Sequence, residues 1–553
     1  MNSKTKNTRE LERKSQKNEL LPAFQLYQNY AKGLDGVDKD EEKAQYYLSQ
    51  CTNYIDSNAS KSTESFIPTH KLHLTSLGLF DFRRFKDLRI SFEENLTVII
   101  GDNGQGKTTI LNAISKTLSW INANILKEEG VGQRLSELHD IRRGSGNSYA
   151  DVFTEFKYGI GLKRLSARLS RASLGAAERR DSDIKTLREL SNVFRVVNSH
   201  NVINLPLCAF YSIDRSHPLT RSSKDNITLR EERFDAYNST LSGAGRFDHF
   251  VEWFIALHKK SIDDKSDKIE SLKQQVQDLE SSVTSGVVSL EPILKQTKQQ
   301  LNDALVTLKL ININKRLTDL QTKEIVINAI CKIVPSINDI WVETSSGSDV
   351  ILVRNDLVEI TIEQLSDGQR TLLGLVSDLA RRLVMLNPKL SNPLEGQGIV
   401  LIDEIELHLH PKWQQNIMNV LVNTFPNIQF IVTTHSPQVL STVDKSCIRL
   451  FVTDENDHTH CPQPQFQTKG VRSADILAEL MGTNSIPDVE EARKVDTFSM
   501  LLLDNQKDKA LELLDELETH FGSEHPVLRD CQSKLDVFEM KERIKRKRQE
   551  SNK

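Results

Sequence analysis

The stretch that most constrains this chain is the apolar run Leu96–Ile100 followed by Gly101-Asp102-Asn103-Gly104-Gln105-Gly106-Lys107-Thr108. An apolar run reads as a buried strand, and TILNAISKTL after it reads as a helix. Glycines between them let backbone N–H groups wrap phosphates. Lys107 can reach the β- and γ-phosphates, and Thr108 can offer its hydroxyl to Mg²⁺. The helix that follows turns its positive end toward the same anion. Strand, loop and helix occur in the order this chemistry needs, so Gly101–Thr109, Thr109 included, are expected to bind ATP and Mg²⁺. The fold must then contain an α/β layer.

Three further motifs follow at long range. Gly398-Ile399-Val400-Leu401-Ile402 is a second buried strand, and Asp403 and Glu404 emerge at its end. Such a pair can divide the work, Asp403 holding the Mg²⁺ shell and Glu404 orienting and deprotonating the attacking water. Leu365-Ser366-Asp367-Gly368-Gln369-Arg370 opens a helix, where a hydroxyl and glycine amides make an anion site. The strand IQFIVTTHSP ends in His435.

In this order the four motifs resemble those of the ABC and SMC ATPases. The resemblance implies an α/β, ABC-type split ATPase head with a mixed sheet. It also implies a homodimer, or a higher homo-oligomer, joined through the heads. Ser366, Gly368 and Gln369 would then meet the γ-phosphate bound by the opposite subunit, and His435 would act as the switch histidine. Asp367 departs from the family's usual glycine. The family's Q-loop glutamine has no clear counterpart: CAFYSIDR, the best equivalent, ends in Ser212, Ile213 and Asp214, and Gln133 comes early. The role is left unassigned.

Around the motifs the chain divides into five stretches. Residues 1–66 are polar and helical, with one Sel1/TPR-like helix–turn–helix about Gly33-Leu34-Asp35-Gly36 or an ordinary helical hairpin, then the linker-like SNASKSTES. Such a unit must lean on the head or a partner to bury its face. Residues 70–254 carry the first half of the head. In 255–325, Ile262, Ile269, Val276 and Val283 share one heptad position and Leu272 and Leu279 the other, until Gly286 and Pro292 interrupt; Leu294, Leu301, Leu305 and Leu308 resume the pattern. This predicts a short antiparallel coiled-coil insertion, or two amphipathic helices folded on the head. Residues 326–460 complete the head, and 461–553 form a helical extension ending in Lys541, Arg543, Lys545, Arg546, Lys547 and Arg548.

Composition sets broader limits. No apolar run approaches the ~20 residues that span a bilayer, and the first residues lack the apolar core of a secretory signal. Six scattered cysteines without a CxxC pair fit a reduced, cytoplasmic setting. A net charge of −4 gives no global reason to bind nucleic acid, so any such contact must be local. His408 with His410, and His458, His460 and Cys461, have metal-ligand chemistry but no completing partners in the sequence.

Within the ABC/SMC class, DE-x-E-x-H-L-H-P over Asp403–Pro411 resembles the D-loop of OLD-like ATPases. Residues 461–553 lack the Asp-x-Asp pair of an OLD nuclease. GVRSADILAELMG and TFSMLLLDNQKDKALELLDELETHF look like the tail of the PtuA-like ATPases of Septu-type, sometimes retron-associated, antiphage systems. That resemblance implies a separate HNH nuclease subunit and, in retron settings, a reverse transcriptase with its nucleic acid. It implies no nuclease activity in this chain. Leu501, Leu502, Leu503, Leu511, Leu513 and Leu514 are the expected docking surface, or simple packing. Two other readings stand beside it, a RecF-class DNA-repair ATPase that binds DNA itself and an ATP-binding scaffold with little turnover.

Overall fold

The computed structural model describes residues 5–60, 65–144, 149–159, 165–177, 179–216, 233–243, 247–263, 265–284, 291–312, 317–344, 349–454, 459–483 and 488–550. Two compact units divide the chain, Met1–Val471 and Arg472–Lys553.

The first unit is built on a five-stranded parallel sheet. Its strand order is Ile448–Leu450, Leu96–Ile100, Ile428–Thr433, Gly398–Ile402 and Leu207–Tyr211. The three central strands are almost wholly buried, as expected of continuous apolar runs covered on both faces. Because all five run parallel, their C-terminal ends open on one edge, where ligands of such sheets bind.

A second, antiparallel sheet orders Phe85–Ser91, Leu72–Phe82, Tyr149–Tyr158 and Leu165–Ala172. The expected mixed sheet is therefore two sheets, one parallel and one antiparallel. Buried amides tie them together. Gln429 Oε1 accepts the Leu74 N–H at 2.8 Å while its Nε2 donates to the carbonyls of Leu74 and Glu93, both at 2.8 Å. Gln397 Oε1 accepts from Leu72 N–H at 2.8 Å. A side-chain amide here replaces the backbone partner that a strand edge would otherwise lack. A third sheet, Ile337–Glu343, Val350–Asn355 and Val358–Thr361, precedes the helix Asp367–Leu386.

The N-terminal helices Lys6–Ser15, Leu20–Lys32 and Glu41–Ile55 belong to this first unit. Gly33 stops the second helix in the left-handed region, φ 69°. Leu11, Leu26, Tyr30, Val37 and Ala44 make their shared core. The pair leans on the head: Tyr27 Oη lies 3.1 Å from His200 Nε2, Asn204 N–H donates to Asp56 Oδ1 at 2.9 Å, and Tyr54 stacks on His70 at 3.7 Å. The residue after the linker-like stretch is held as well. Phe66 N–H donates to Glu395 Oε2 at 2.5 Å, and its carbonyl accepts from Asn427 Nδ2 at 2.9 Å.

The insertion contains helices Phe247–Asp263, Lys265–Thr284 and Glu291–Asn312. The latter two pack on each other, and Lys298 Nζ meets Glu280 Oε1 at 2.6 Å across the pair. Leu272 and Thr297 are buried, with Val276, Leu279, Leu294 and Leu301 half-buried. Pro292 does not break the second arm; it sits in its first turn, where its missing N–H costs nothing. The side chains of Ile262, Ile269, Val283, Leu305 and Leu308, and all of Gly286, lie outside the described residues.

The second unit carries helices Ser473–Glu479, Glu490–Leu503, Lys507–Phe521 and Pro526–Glu550. Phe498, Leu502, Ala510, Leu517, Leu528, Cys531 and Leu535 form its core.

Candidate functional site: a phosphate loop facing acidic strand ends

The loop Gly101–Gly106 joins the strand Leu96–Ile100 to the helix Lys107–Leu126. Gly106 has φ 102°, and a Cβ there would lie 2.5 Å from Phe85 Cζ and 2.9 Å from Arg84 Cδ. Both conformation and space require glycine at this point. The Lys107 ammonium folds over the loop and donates to the carbonyls of Gly101 at 2.8 Å and Asp102 at 2.9 Å. Gln105 braces the turn, accepting from Asp102 N–H at 2.8 Å and donating to Asp102 Oδ2 at 2.9 Å. Asn103 and Gly104 are exposed, Thr109 is half-buried, and Arg84 donates to the Gly104 carbonyl. Burial pulls the Lys107 ammonium below the usual lysine range, opposed by Asp403, Glu404, Asp102 and Glu406.

The two distant halves of the sequence meet at Thr108. Its hydroxyl donates to Asp403 Oδ2 at 2.7 Å, and Asp403 Oδ1 accepts from Thr433 Oγ1 at 2.5 Å. Hydroxyl and carboxylate oxygens are the hard donors that suit Mg²⁺. With the glycine loop and a helix N-terminus beside them, these residues fit a nucleotide–Mg²⁺ pair. Glu404 follows at φ 45°, in the left-handed region. That conformation is gripped at both ends: its N–H donates to Thr433 Oγ1 at 2.8 Å, and its carbonyl accepts from Arg215 Nη2 at 2.5 Å. His435 follows the neighbouring strand, and its N–H donates to Glu406 Oε1, whose partner oxygen accepts from Thr434 Oγ1 at 2.7 Å.

Thr108, Asp403, Glu404 and His435, expected from separate motifs, thus lie around adjoining strand ends. Arg215 and Glu406 were not foreseen. Arg215 follows the strand Leu207–Tyr211, beside Gly398–Ile402 in the sheet, which is where a Q-loop glutamine was sought. It also donates to the carbonyls of Asp403 and, at 3.0 Å, Ser212. Burial lowers its guanidinium to about 10. Arg215 is the last residue of the segment CAFYSIDR. Glu406 was assigned only to a loop.

Ser366 caps the helix Asp367–Leu386. Its hydroxyl accepts from Gln369 N–H at 3.3 Å, and Gln369 Oε1 accepts in return from Ser366 N–H at 3.3 Å. Gln369 Nε2 donates to Asn355 Oδ1 at 3.0 Å and to the Pro335 carbonyl at 3.3 Å. The Gln369 side chain is therefore turned into the head, unlike the ligand-facing role expected of it. Gly368 is needed for close approach, since a Cβ there would lie 2.4 Å from the His408 carbonyl oxygen. That contact lays the signature helix against the loop that follows Glu404.

Residues 96–441 match the family described as "AAA domain, putative AbiEii toxin, Type IV TA system". The chain is 30% identical over 547 residues to "Retron Ec83 probable ATPase" of Escherichia coli, with 95% of each chain covered. The chain belongs to the retron-associated ATPases. It is also 32% identical over 166 residues to "Septu protein PtuA" of Bacillus mycoides (strain KBAB4), covering 29% of this chain and 23% of that one. Among solved structures, an Smc head domain from Pyrococcus furiosus bound to the C-terminal domain of ScpA aligns with 17% identity and TM-score 0.40, over 71% of this chain and 96% of that one.

The structure also bears on other expectations for this ATPase. Leu502 is core in the second unit, and Leu501, Leu513 and Leu514 pack partly against that core. Only Leu503, 82% exposed, and Leu511, 40% exposed, are left facing outward from the expected docking surface. His410 caps a short helix, its Nδ1 accepting from Lys412 N–H at 3.3 Å. Burial pushes the Cys461 thiol up to about 12, which disfavours a thiolate ligand. His458 lies outside the described residues, which contain no group of three or more His, Cys, Asp or Glu able to hold a metal ion. No helix among the described residues is long and apolar enough to cross a membrane.

Proposed function

We propose that this ATPase hydrolyses ATP at sites shared between two copies of the head and so controls a separate HNH nuclease in antiphage defence. The observation that carries the reading is the 2.7 Å contact of Thr108 Oγ1 with Asp403 Oδ2, which brings phosphate loop and acidic strand end together. In the proposed reaction, loop amides and Lys107 hold the β- and γ-phosphates, and Thr108 with Asp403 hold Mg²⁺. Bound there, Mg²⁺ supplies charge neutralisation on the phosphate oxygens. Glu404, fixed by Thr433 and Arg215, accepts the proton of the attacking water. His435, its backbone tied to Glu406, adds a donor near the γ-phosphate.

Among the described residues, the hydrogen bonds of Ser366 and Gln369 run to each other and into the head, and none runs to the phosphate loop. A second copy can bring that helix N-terminus to the γ-phosphate. A nuclease partner, and a reverse transcriptase with its nucleic acid, follow from kinship with retron and Septu proteins.

Glu404→Gln tests the core of this reading. The amide cannot take a proton, so turnover falls by about 10²–10⁴-fold while ATP stays bound and paired heads accumulate. Wild-type turnover in Glu404→Gln removes Glu404 as the base.

A further inference from the structure

Away from the phosphate loop, the first unit contains an open cavity of about 720 Å³ whose walls, among the described residues, hold five arginines and one carboxylate, Asp181. Arg134 comes from the loop after the helix Lys107–Leu126. Arg171 ends a strand of the antiparallel sheet, Arg179 and Arg180 lie in the next loop, and Arg188 is in the first turn of the helix Lys185–His200. Separate elements therefore converge on one concavity. A chain of net charge −4 has no compositional reason to gather positive charge there.

The charges are only partly answered from within. Arg180 Nη1 pairs with the buried Asp151 at 2.8 Å and lies over the Tyr149 ring at 3.7 Å. Arg179 pairs with Asp181 at 3.0 Å, and Arg171 reaches Glu137 at 3.5 Å. Both of those pairs are solvent-exposed or nearly so, and such pairs hold weakly. Arg134 and Arg188 meet no carboxylate among the described residues; Arg188 instead lies 5.5 Å over the Trp120 ring. The same wall includes Ser170, 8% exposed, whose hydroxyl is buried without a hydrogen-bond partner among the described residues.

We infer that this cavity binds phosphate groups, taking a nucleotide-sized portion of an oligonucleotide backbone or a free phosphate compound. Guanidinium groups present planar, paired donors to phosphate oxygens. A basic concavity with protein walls focuses the field on an incoming anion. The volume falls within the usual range for small-ligand sites. Among the described residues, no hydrogen bond or ion pair joins its arginines to the phosphate loop.

The test is fluorescence anisotropy with labelled single-stranded 12-nucleotide DNA and RNA across a range of NaCl concentrations, with inorganic pyrophosphate as competitor. Lys107→Ala is placed in every protein, so that the phosphate loop contributes nothing. Arg134→Glu with Arg188→Glu, both at exposed positions, is expected to weaken oligonucleotide binding at least ~10-fold and lower the salt slope by about two. Neutralising Lys545 and Arg546 in the C-terminal tail should leave that binding in place. Binding of inorganic pyrophosphate in calorimetry, lost in the double variant, without oligonucleotide binding identifies the free phosphate compound as the source. Absence of binding to every probe, or equal affinity and slope in the double variant, overturns the inference.

Discussion

The strand-end cluster and the signature helix are both parts of the proposed site, yet the chain treats them oppositely. At the strand ends, Thr108, Asp403, Thr433, Glu404 and Arg215 bind one another into a constellation from four segments. At the signature helix, Ser366 is bonded to Gln369, and Gln369 to Asn355 and Pro335. The first region is complete enough to orient a nucleotide. The second is a rigid, self-capped helix N-terminus whose amide dipoles await an anion from outside. On the proposed reading, the contrast means that one chain builds the inner wall of the site and offers the outer wall to a second copy.

The contrast breaks most sharply at Lys107. Lys107→Ala removes the buried cation at the inner wall and should weaken ATP binding by about 100-fold or more, ~2.7 kcal/mol, in equilibrium dialysis. Retained affinity would mean that the loop amides suffice alone. Ser366→Arg addresses the outer wall. ATP should still bind single heads, while ATP-dependent dimers vanish in light scattering and hydrolysis falls to the level of a monomer. Full activity in that variant would place the second wall elsewhere.

Arg215→Ala sharpens the picture of the inner wall. Freed at its carbonyl, Glu404 should leave the left-handed conformation, lowering kcat by roughly 10- to 100-fold while KM for ATP changes little. Arg215→Lys can satisfy one carbonyl and should recover part of the loss. An equal loss in kcat and ATP affinity would instead point to general disruption of the head.

The smallest effects concern the second unit. Leu517→Ala should destabilise it by about 2–4 kcal/mol, because Leu517 is 1% exposed in its core. Leu503→Ala, at an exposed position, should stay within ~0.5 kcal/mol. ATP hydrolysis by the first unit serves as the control in both. Loss of nuclease capture in Leu503→Ala alone would mark that outward face as the docking site.

Much of the site was legible in the chain. Gly106, Lys107 and Thr108 announce a phosphate loop because local backbone geometry and spacing carry that chemistry, and Asp403-Glu404 after Ile399–Ile402 announces an acidic strand end. Arg215 and Glu406 were not legible, since their roles depend on which strands are neighbours. Nothing in SIDR shows that the Leu207–Tyr211 strand lies beside Gly398–Ile402. The leucines of the C-terminal helices were ambiguous for the same reason: Leu502 and Leu503 are adjacent, yet one is core and the other exposed.

By itself, then, the sequence determined a phosphate-binding α/β head, its loop, its acidic strand end and its signature turn, all properties that reside within a few consecutive residues. Tertiary structure alone decided that the strands divide into a parallel and an antiparallel sheet clamped by Gln397 and Gln429. It alone turned Gln369 inward, set Arg215 on the carbonyls of Asp403 and Glu404, and gathered five arginines around one cavity. Backbone conformation and periodicity act over a few residues, whereas hydrogen-bond partners and local fields depend on which distant segments the fold brings within a few ångströms.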